Sequence, residues 1–145
     1  MKRTAKAVWK GTGLEGKGSL TTQSGAFDSQ PYSTKLRFEN EDGKLGTNPE
    51  ELIAAAHAGC FAMALSFQLV GAGFTADELN VDAVLVIEKK EAGFEITGTT
   101  LNLEGKVPGI SEDKFLELAN NAKVGCPVSK ALKAIDIQLN AKLVS

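Results

Sequence analysis

A chain of 145 residues, 43% of them hydrophobic, holds material for one ordinary core and not for two, so a single domain over residues 1–145 is expected. Sixteen basic against eighteen acidic side chains leave a net charge of −2, and neither sign gathers in a block, which argues against a nucleic-acid footprint. The opening MKRTAKAVWK is not followed by an apolar run of signal-peptide length and no lipidation motif occurs, so the expected location is the cytoplasm.

Three β-rich segments come first: Lys6–Lys10, Gly16–Gln23 and Ser33–Glu39, separated by GTGLEG and by the turn residues Ser24-Gly25 and Gln30-Pro31. In the third, Leu36 and Phe38 alternate with Lys35, Arg37 and Glu39, the period of a strand, which sends Arg37 to the face opposite the apolar pair. After NEDGKLG comes TNPEELIAAAHAGCFAMALSFQLVG, Thr47–Gly71, a long apolar helix. Asn48 suits its cap, Pro49 its first position, Glu50 and Glu51 the positive dipole end, and Gly71 and Gly73 its stop. From Leu52 to Val70 the clearly polar side chains are His57, Ser66 and Gln68, so almost every face needs a cover. A bilayer would serve, but the Ala and Gly content, His57, Gln68 and the acidic flank argue against it, and sheet and helices are the expected sheath.

The runs Asn80–Lys90 and Phe94–Glu104, joined by Glu91-Ala92-Gly93, read as a hairpin with Val81, Ala83, Leu85 and Ile87 turned inward. Ser111 caps a further helix, with Phe115, Leu116, Leu118, Ala119 and Ala122 as its apolar stripe and an end near Val124-Gly125. In CPVSKAL, Cys126 reads as the cap and Pro127 as the first residue of a short helix, before a last strand, Ile135–Val144. Strands do not alternate with helices as crossover units would, which predicts a mainly antiparallel α+β domain. GTGLEGKG and GAG lack the strand-to-helix setting of a phosphate loop and are turns.

Two cysteines, Cys60 and Cys126, in a chain without secretory features argue against a static staple, and with one histidine they make a poor metal set. Cys60 on its helix could be a small buried hydrophobe. Cys126 at a helix cap faces free N–H groups and a positive dipole end, which lowers a thiol pKa and makes it the more acidic of the two. A cap delivering a second thiol to a helix-borne first one is what a peroxidatic and resolving pair requires, although the spacing alone does not bring the sulfurs together.

TNPEELIAAAHAGCFAMALS, followed far downstream by GCPVSKAL and preceded by GKGSLTTQSG and PYSTKLRFE, resembles the osmotically inducible protein C branch (OsmC) of the OsmC/Ohr organic hydroperoxide reductases over nearly the whole chain. The resemblance implies a thiol peroxidase of oxidative and osmotic stress defence. It would be an intertwined homodimer with sheets wrapping two central helices and active sites at the subunit interface. It implies that Cys60 reduces the peroxide and Cys126 resolves it, with Glu50 as helper glutamate and Arg37 in LRFE as helper arginine; the hydroperoxide-resistance branch takes its arginine from an earlier stretch, where this chain has Lys17. It implies no bound cofactor and no metal, with recycling by a small dithiol or a lipoylated protein.

Glu50 and Cys60 are ten positions apart, about 15 Å along one helix axis, so the resemblance implies that the Arg–Glu pair beside a given Cys60 comes largely from the partner. Ala56, His57, Met63 and Ala64, with Ile53 and Phe67 a turn beyond, neighbour Cys60 on a mostly apolar face that favours organic hydroperoxides over hydrogen peroxide. His57 is read as a core histidine with a backbone partner, not as a base. Two other classes compete: a dimeric module for hydrophobic ligands with inert cysteines, and a redox sensor that oxidises once without turnover.

Overall fold

Ser33 decides how the first part of the chain ends. The computed structural model describes residues 1–144, so of the expected domain only Ser145 lies outside the described residues. The chain divides into two compact units, Met1–Leu52 and Ile53 onward.

In the first unit, β1 (Ala5–Lys10), β2 (Lys17–Thr22) and β3 (Gln30–Ser33) form an antiparallel sheet in that order. The Trp9 and Tyr32 rings meet across it with centroids 5.4 Å apart, over Gly18, where a Cβ would run into both rings. The expected third strand, Ser33–Glu39, is corrected: pairing stops at Ser33, whose hydroxyl accepts from Leu36 N–H at 3.1 Å and caps α1 (Thr34–Phe38). A cap bond outweighed strand-like alternation, and Arg37 therefore stands on a helical turn. The helix α2 (Pro49–Gly71) begins here: Asn48 Oδ1 accepts from Glu51 N–H at 2.8 Å and Pro49 occupies the first position.

In the second unit, β4 (Glu78–Lys90) and β5 (Gly93–Lys106) pair antiparallel as a hairpin with an irregularity at Val86/Ile87. The chain then crosses through α3 (Glu112–Gly125) and α4 (Pro127–Ala131) and returns as β6 (Asp136–Val144), parallel to β5. The sheet is thus mixed, in the order β4-β5-β6, because a helical crossover between neighbouring strands returns the second in the same direction.

Its core is one cluster: Phe61, Leu65 and Leu69 of α2, Leu101 and Leu103 of β5, and Phe115, Leu118, Ala119 and Ala122 of α3, joined by Cys126. Val81, Ala83, Leu85 and Ile87 alternate with exposed neighbours, as the period of β4 predicts. Beyond the first turn of α2 the buried residues His57, Phe61, Leu65 and Leu69 recur at every fourth position. The helix is long and apolar enough to cross a bilayer by length and composition, yet this stripe packs on sheet and helix like that of a core helix.

Gly105 on β5 lies beneath the Phe115 ring, where a Cβ would overlap it. Gly105→Ala should lower stability by about 1–3 kcal/mol, the usual cost of overpacking. Urea denaturation should show the lower midpoint, and Phe115→Leu in the same chain should recover part of it; a wild-type midpoint for Gly105→Ala would refute this packing.

Candidate active site

Cys126 ends α3 and caps α4, with φ −60° and ψ 123°; the extended backbone lets its sulfur turn back over the new helix, where Ser129 N–H donates to it at 3.5 Å. Pro127 at the first helical position fixes this turn. The Cys60 sulfur of α2 lies 2.8 Å from it, with both cysteines free. A disulfide would need about 2.05 Å.

The two thiols differ in access and acidity. Cys126 is fully buried, whereas Cys60 is half-buried. Burial pushes the Cys60 thiol above its ordinary value and the bond with Cys126 adds to this, against a smaller opposing pull from the Val128 N–H. Burial also pushes Cys126 up, but hydrogen bonds from Cys60, from the Ser129 N–H and hydroxyl and from the Val128 N–H outweigh it, and the thiol falls below its ordinary value. With both groups as thiols, Cys126 Sγ–H donates to Cys60 Sγ; when one of them ionises, these surroundings favour the thiolate on Cys126, the more acidic thiol, as its cap position led us to expect.

Cys60 opens on a cleft of about 570 Å³ lined by Met63, Ala64, Phe67 and Gln68 of α2 and by Ala122, Gly125 and Pro127. Its wall is largely apolar, which suits a ligand with a hydrocarbon part. His57 is not in that wall. It is fully buried, and its Nε2 lies 2.8 Å from Ser129 Oγ. The expected backbone partner is therefore corrected to a side chain on α4. Ser129 was absent from the sequence reading, although its place three residues after a capping cysteine was the available signal.

In the first unit Arg37 of α1 and Glu50 of α2 form an ion pair. Nε donates to both carboxylate oxygens, at 3.2 and 3.1 Å, and Nη2 donates to Oε1 at 2.5 Å. The guanidinium also stands 4.8 Å from the centroid of Phe38. Asn48 caps the helix as expected, and Thr47 Oγ1 donates to Glu51 at 2.6 Å, so Glu50 is left to hold a cation. Lys17, the alternative charge, is an exposed residue of β2 paired with Ser33 and Lys10. Among the described residues no group of three or more His, Cys, Asp or Glu is placed to hold a metal.

A mixed α+β chain with a cysteine pair between a long apolar helix and a Cys-Pro turn defines a class. The family model for OsmC-like protein matches residues 41–140, and the chain belongs to that family. Peroxiredoxin OsmC of Escherichia coli (strain K12) is 47% identical over 143 residues, 99% of this chain and 97% of that protein. The organic hydroperoxide resistance protein OhrB of Bacillus subtilis (strain 168) is 32% identical over 127 residues, 86% of this chain and 89% of its own. A crystal structure of OhrB of Bacillus subtilis superposes with a TM-score of 0.74 at 30% identity, covering 96% of this chain and 98% of that one. The OsmC-like protein from Mycoplasma pneumoniae superposes with a TM-score of 0.78 at 16% identity over 100% and 99%, a likeness of fold.

Burial lowers the pKa of His57, so the folded protein resists protonating it while the unfolded chain takes up a proton near pH 6.5. Unfolded chains then bind more protons than folded ones, and stability should fall as pH drops below about 6.5. The limiting slope for one group is about 1.4 kcal/mol per pH unit. Denaturant unfolding between about pH 7 and 5.5 should show stability falling with a slope that steepens towards this limit in the wild type, and His57→Gln should lose that dependence; equal pH dependence would mean that the buried imidazole is not its source.

Proposed function

We propose that the chain is a cysteine-based peroxidase that reduces organic hydroperoxides to alcohols in stress defence, as one OsmC-like domain over residues 1–145 assembled into an intertwined homodimer. The observation that carries this reading is the 2.8 Å approach of Cys60 and Cys126 with only Cys60 opening on the apolar cleft. The names of the relatives support the reaction class: one is a peroxiredoxin, the other an organic hydroperoxide resistance protein. A relative that aligns over 99% of the chain, and so over both compact units, supports the single domain.

Accessibility assigns the roles. Although Cys126 is the more acidic thiol in the reduced chain, a sealed sulfur cannot meet a peroxide, and the half-buried one can. The Cys60 thiolate attacks the terminal peroxide oxygen, the O–O bond breaks, and the departing alkoxide takes a proton to become the alcohol. Cys60 is left as a sulfenic acid. The Cys126 thiolate attacks that sulfur, the S–O bond breaks, hydroxide leaves and is protonated to water, and the Cys60–Cys126 disulfide remains. An external dithiol, small or lipoyl-borne, reduces it and is itself oxidised, so the chain needs no bound cofactor. A cytoplasmic location suits a pair that must be returned to thiols.

Cys60 needs help to ionise, because burial and its bond with Cys126 both hold its proton on. In the dimer we assign that help to Arg37, with Glu50 orienting the guanidinium through their paired bonds. Glu50 precedes Cys60 by ten positions on α2, so the pair serving each Cys60 comes from the partner chain. The surface of the single chain supports dimerisation: Met63, Phe67 and Val70 on α2 are 65%, 75% and 64% exposed, and every residue of β1 is exposed.

With a dithiol as reductant, turnover should be faster on an alkyl hydroperoxide than on hydrogen peroxide; equal rates would remove the role of the apolar cleft. Arg37→Leu should lower the rate constant for peroxide reduction on the order of a hundredfold, measured by stopped flow, and a wild-type rate would remove the arginine from the site. Val70→Asp, on the exposed face of α2 and outside the cleft, should give a monomer by light scattering with little turnover. A monomer with undiminished turnover would refute the shared site, and no turnover in the wild type would favour a binding module or a sensor.

A further inference from the structure

The buried pair His57 and Ser129 is not used by the reaction above, and it touches the resolving sulfur. His57 and Cys126 are fully buried and Ser129 is 5% exposed, so the chain of contacts is nearly closed to water. Ser129 N–H reaches Cys126 Sγ at 3.5 Å, and the Ser129 hydroxyl is among the neighbours that hold the thiol's pKa down. On its other side that hydroxyl meets His57 Nε2 at 2.8 Å.

The direction of these bonds follows from the other ring nitrogen. His57 Nδ1 is buried and has no hydrogen-bond partner among the described residues. A buried N–H without an acceptor is costlier than a buried lone pair without a donor, and the ring stays neutral because burial lowers its pKa, so the ring's proton belongs on Nε2. Nε2–H then donates to Ser129 Oγ, and the serine can no longer give its own proton to the imidazole.

We propose that His57, acting through Ser129, is a positioning residue for the resolving sulfur: Nε2–H donates to Oγ, Oγ–H donates to Cys126 Sγ, and the thiolate is thereby held ready and aimed at Cys60. The inference rests on the reading of Cys126 as the resolving cysteine. It assigns the pair to disulfide closure, in which the attacking sulfur must carry negative charge. Each donor in such a chain is polarised by the one behind it, so the ring acts without touching the sulfur. The titratable and charged groups around this chain are Cys60 on α2 and Lys123, Lys130 and Lys133, which line a cleft with Ser129; Lys123 Nζ is bonded to the Ile137 carbonyl. None of the three lysines contributes to the shift at Cys126, whose lowering comes from Cys60, Ser129 and Val128.

The test is the ionisation of Cys126 in the full-length Cys60→Ser protein, followed by thiolate ultraviolet absorbance against pH. Ser129→Ala and His57→Leu should each raise its apparent pKa by on the order of one unit. Ser129→Thr keeps the hydroxyl, and His57→Gln keeps an N–H donor close to the place of Nε2; both should stay near the parent value. In the chain with both cysteines, Ser129→Ala should slow disulfide closure relative to sulfenic acid formation on the order of tenfold near pH 7. Loss of a mere structural pin would move melting temperature in all four variants without separating Ala from Thr in the titration. An unmoved pKa in Ser129→Ala would overturn the proposal, as would equal shifts for Ser129→Ala and Ser129→Thr; that pair decides the matter if His57→Leu does not fold. The titration needs no peroxide, so a wild type that forms no disulfide would defeat the peroxidase reading while leaving this result to stand or fall separately.

Discussion

The approach of two sulfurs to 2.8 Å depends on a crossover. For β6 to return parallel to β5, the chain must travel the length of the sheet through α3 and α4, and that path carries the junction between the helices over α2. The junction is where the chain needs a cap, and the cap is Cys126. Its φ and ψ, the proline after it and the Ser129 N–H that meets its sulfur all belong to ordinary capping, with sulfur in the place of the usual oxygen. Local helix chemistry thus delivers the second thiol to the first, and the buried His57–Ser129 bond ties α4 to α2 at the same point.

The second constraint is α2 itself. It is apolar nearly all round, but only 22% of its most apolar window is buried within the chain. The stripe His57, Phe61, Leu65 and Leu69 meets the core, while Met63, Phe67 and Val70 face outward. Exposed apolar area of this kind is stabilised by a partner, at roughly 25 cal/mol per Å² removed from water. In our account the same association brings the Arg37–Glu50 pair to Cys60, so the surface that needs covering and the thiol that needs a cation are served by one event.

Much of this was legible in the sequence where one local rule acted alone. Asn48, Pro49, Ser111 and Cys126 announced the helix starts, and the alternation in Val81 to Ile87 announced β4. The segment Ser33–Glu39 misled because Leu36 and Phe38 satisfy a period of two while Ser33 also satisfies a cap, and over so short a span a single side-chain bond decides. The parallel pairing of β6 could not be read because nothing local distinguishes a strand that returns beside β5 in one direction from the other. Ser129 was invisible for a similar reason: its partner His57 lies 72 positions away, and one histidine with one serine is no pattern until the fold brings them together. The family resemblance supplied the candidate pairing of the cysteines, which capping chemistry alone left open.

The most direct test of the central claim is the intact mass of the reduced protein after addition of one equivalent of an alkyl hydroperoxide, with peptide mapping of the product. The account predicts the loss of two hydrogens and a single cross-link joining Cys60 to Cys126 within one chain. A product that gains oxygen at Cys60 and keeps Cys126 as a free thiol, or a protein of unchanged mass, would contradict it.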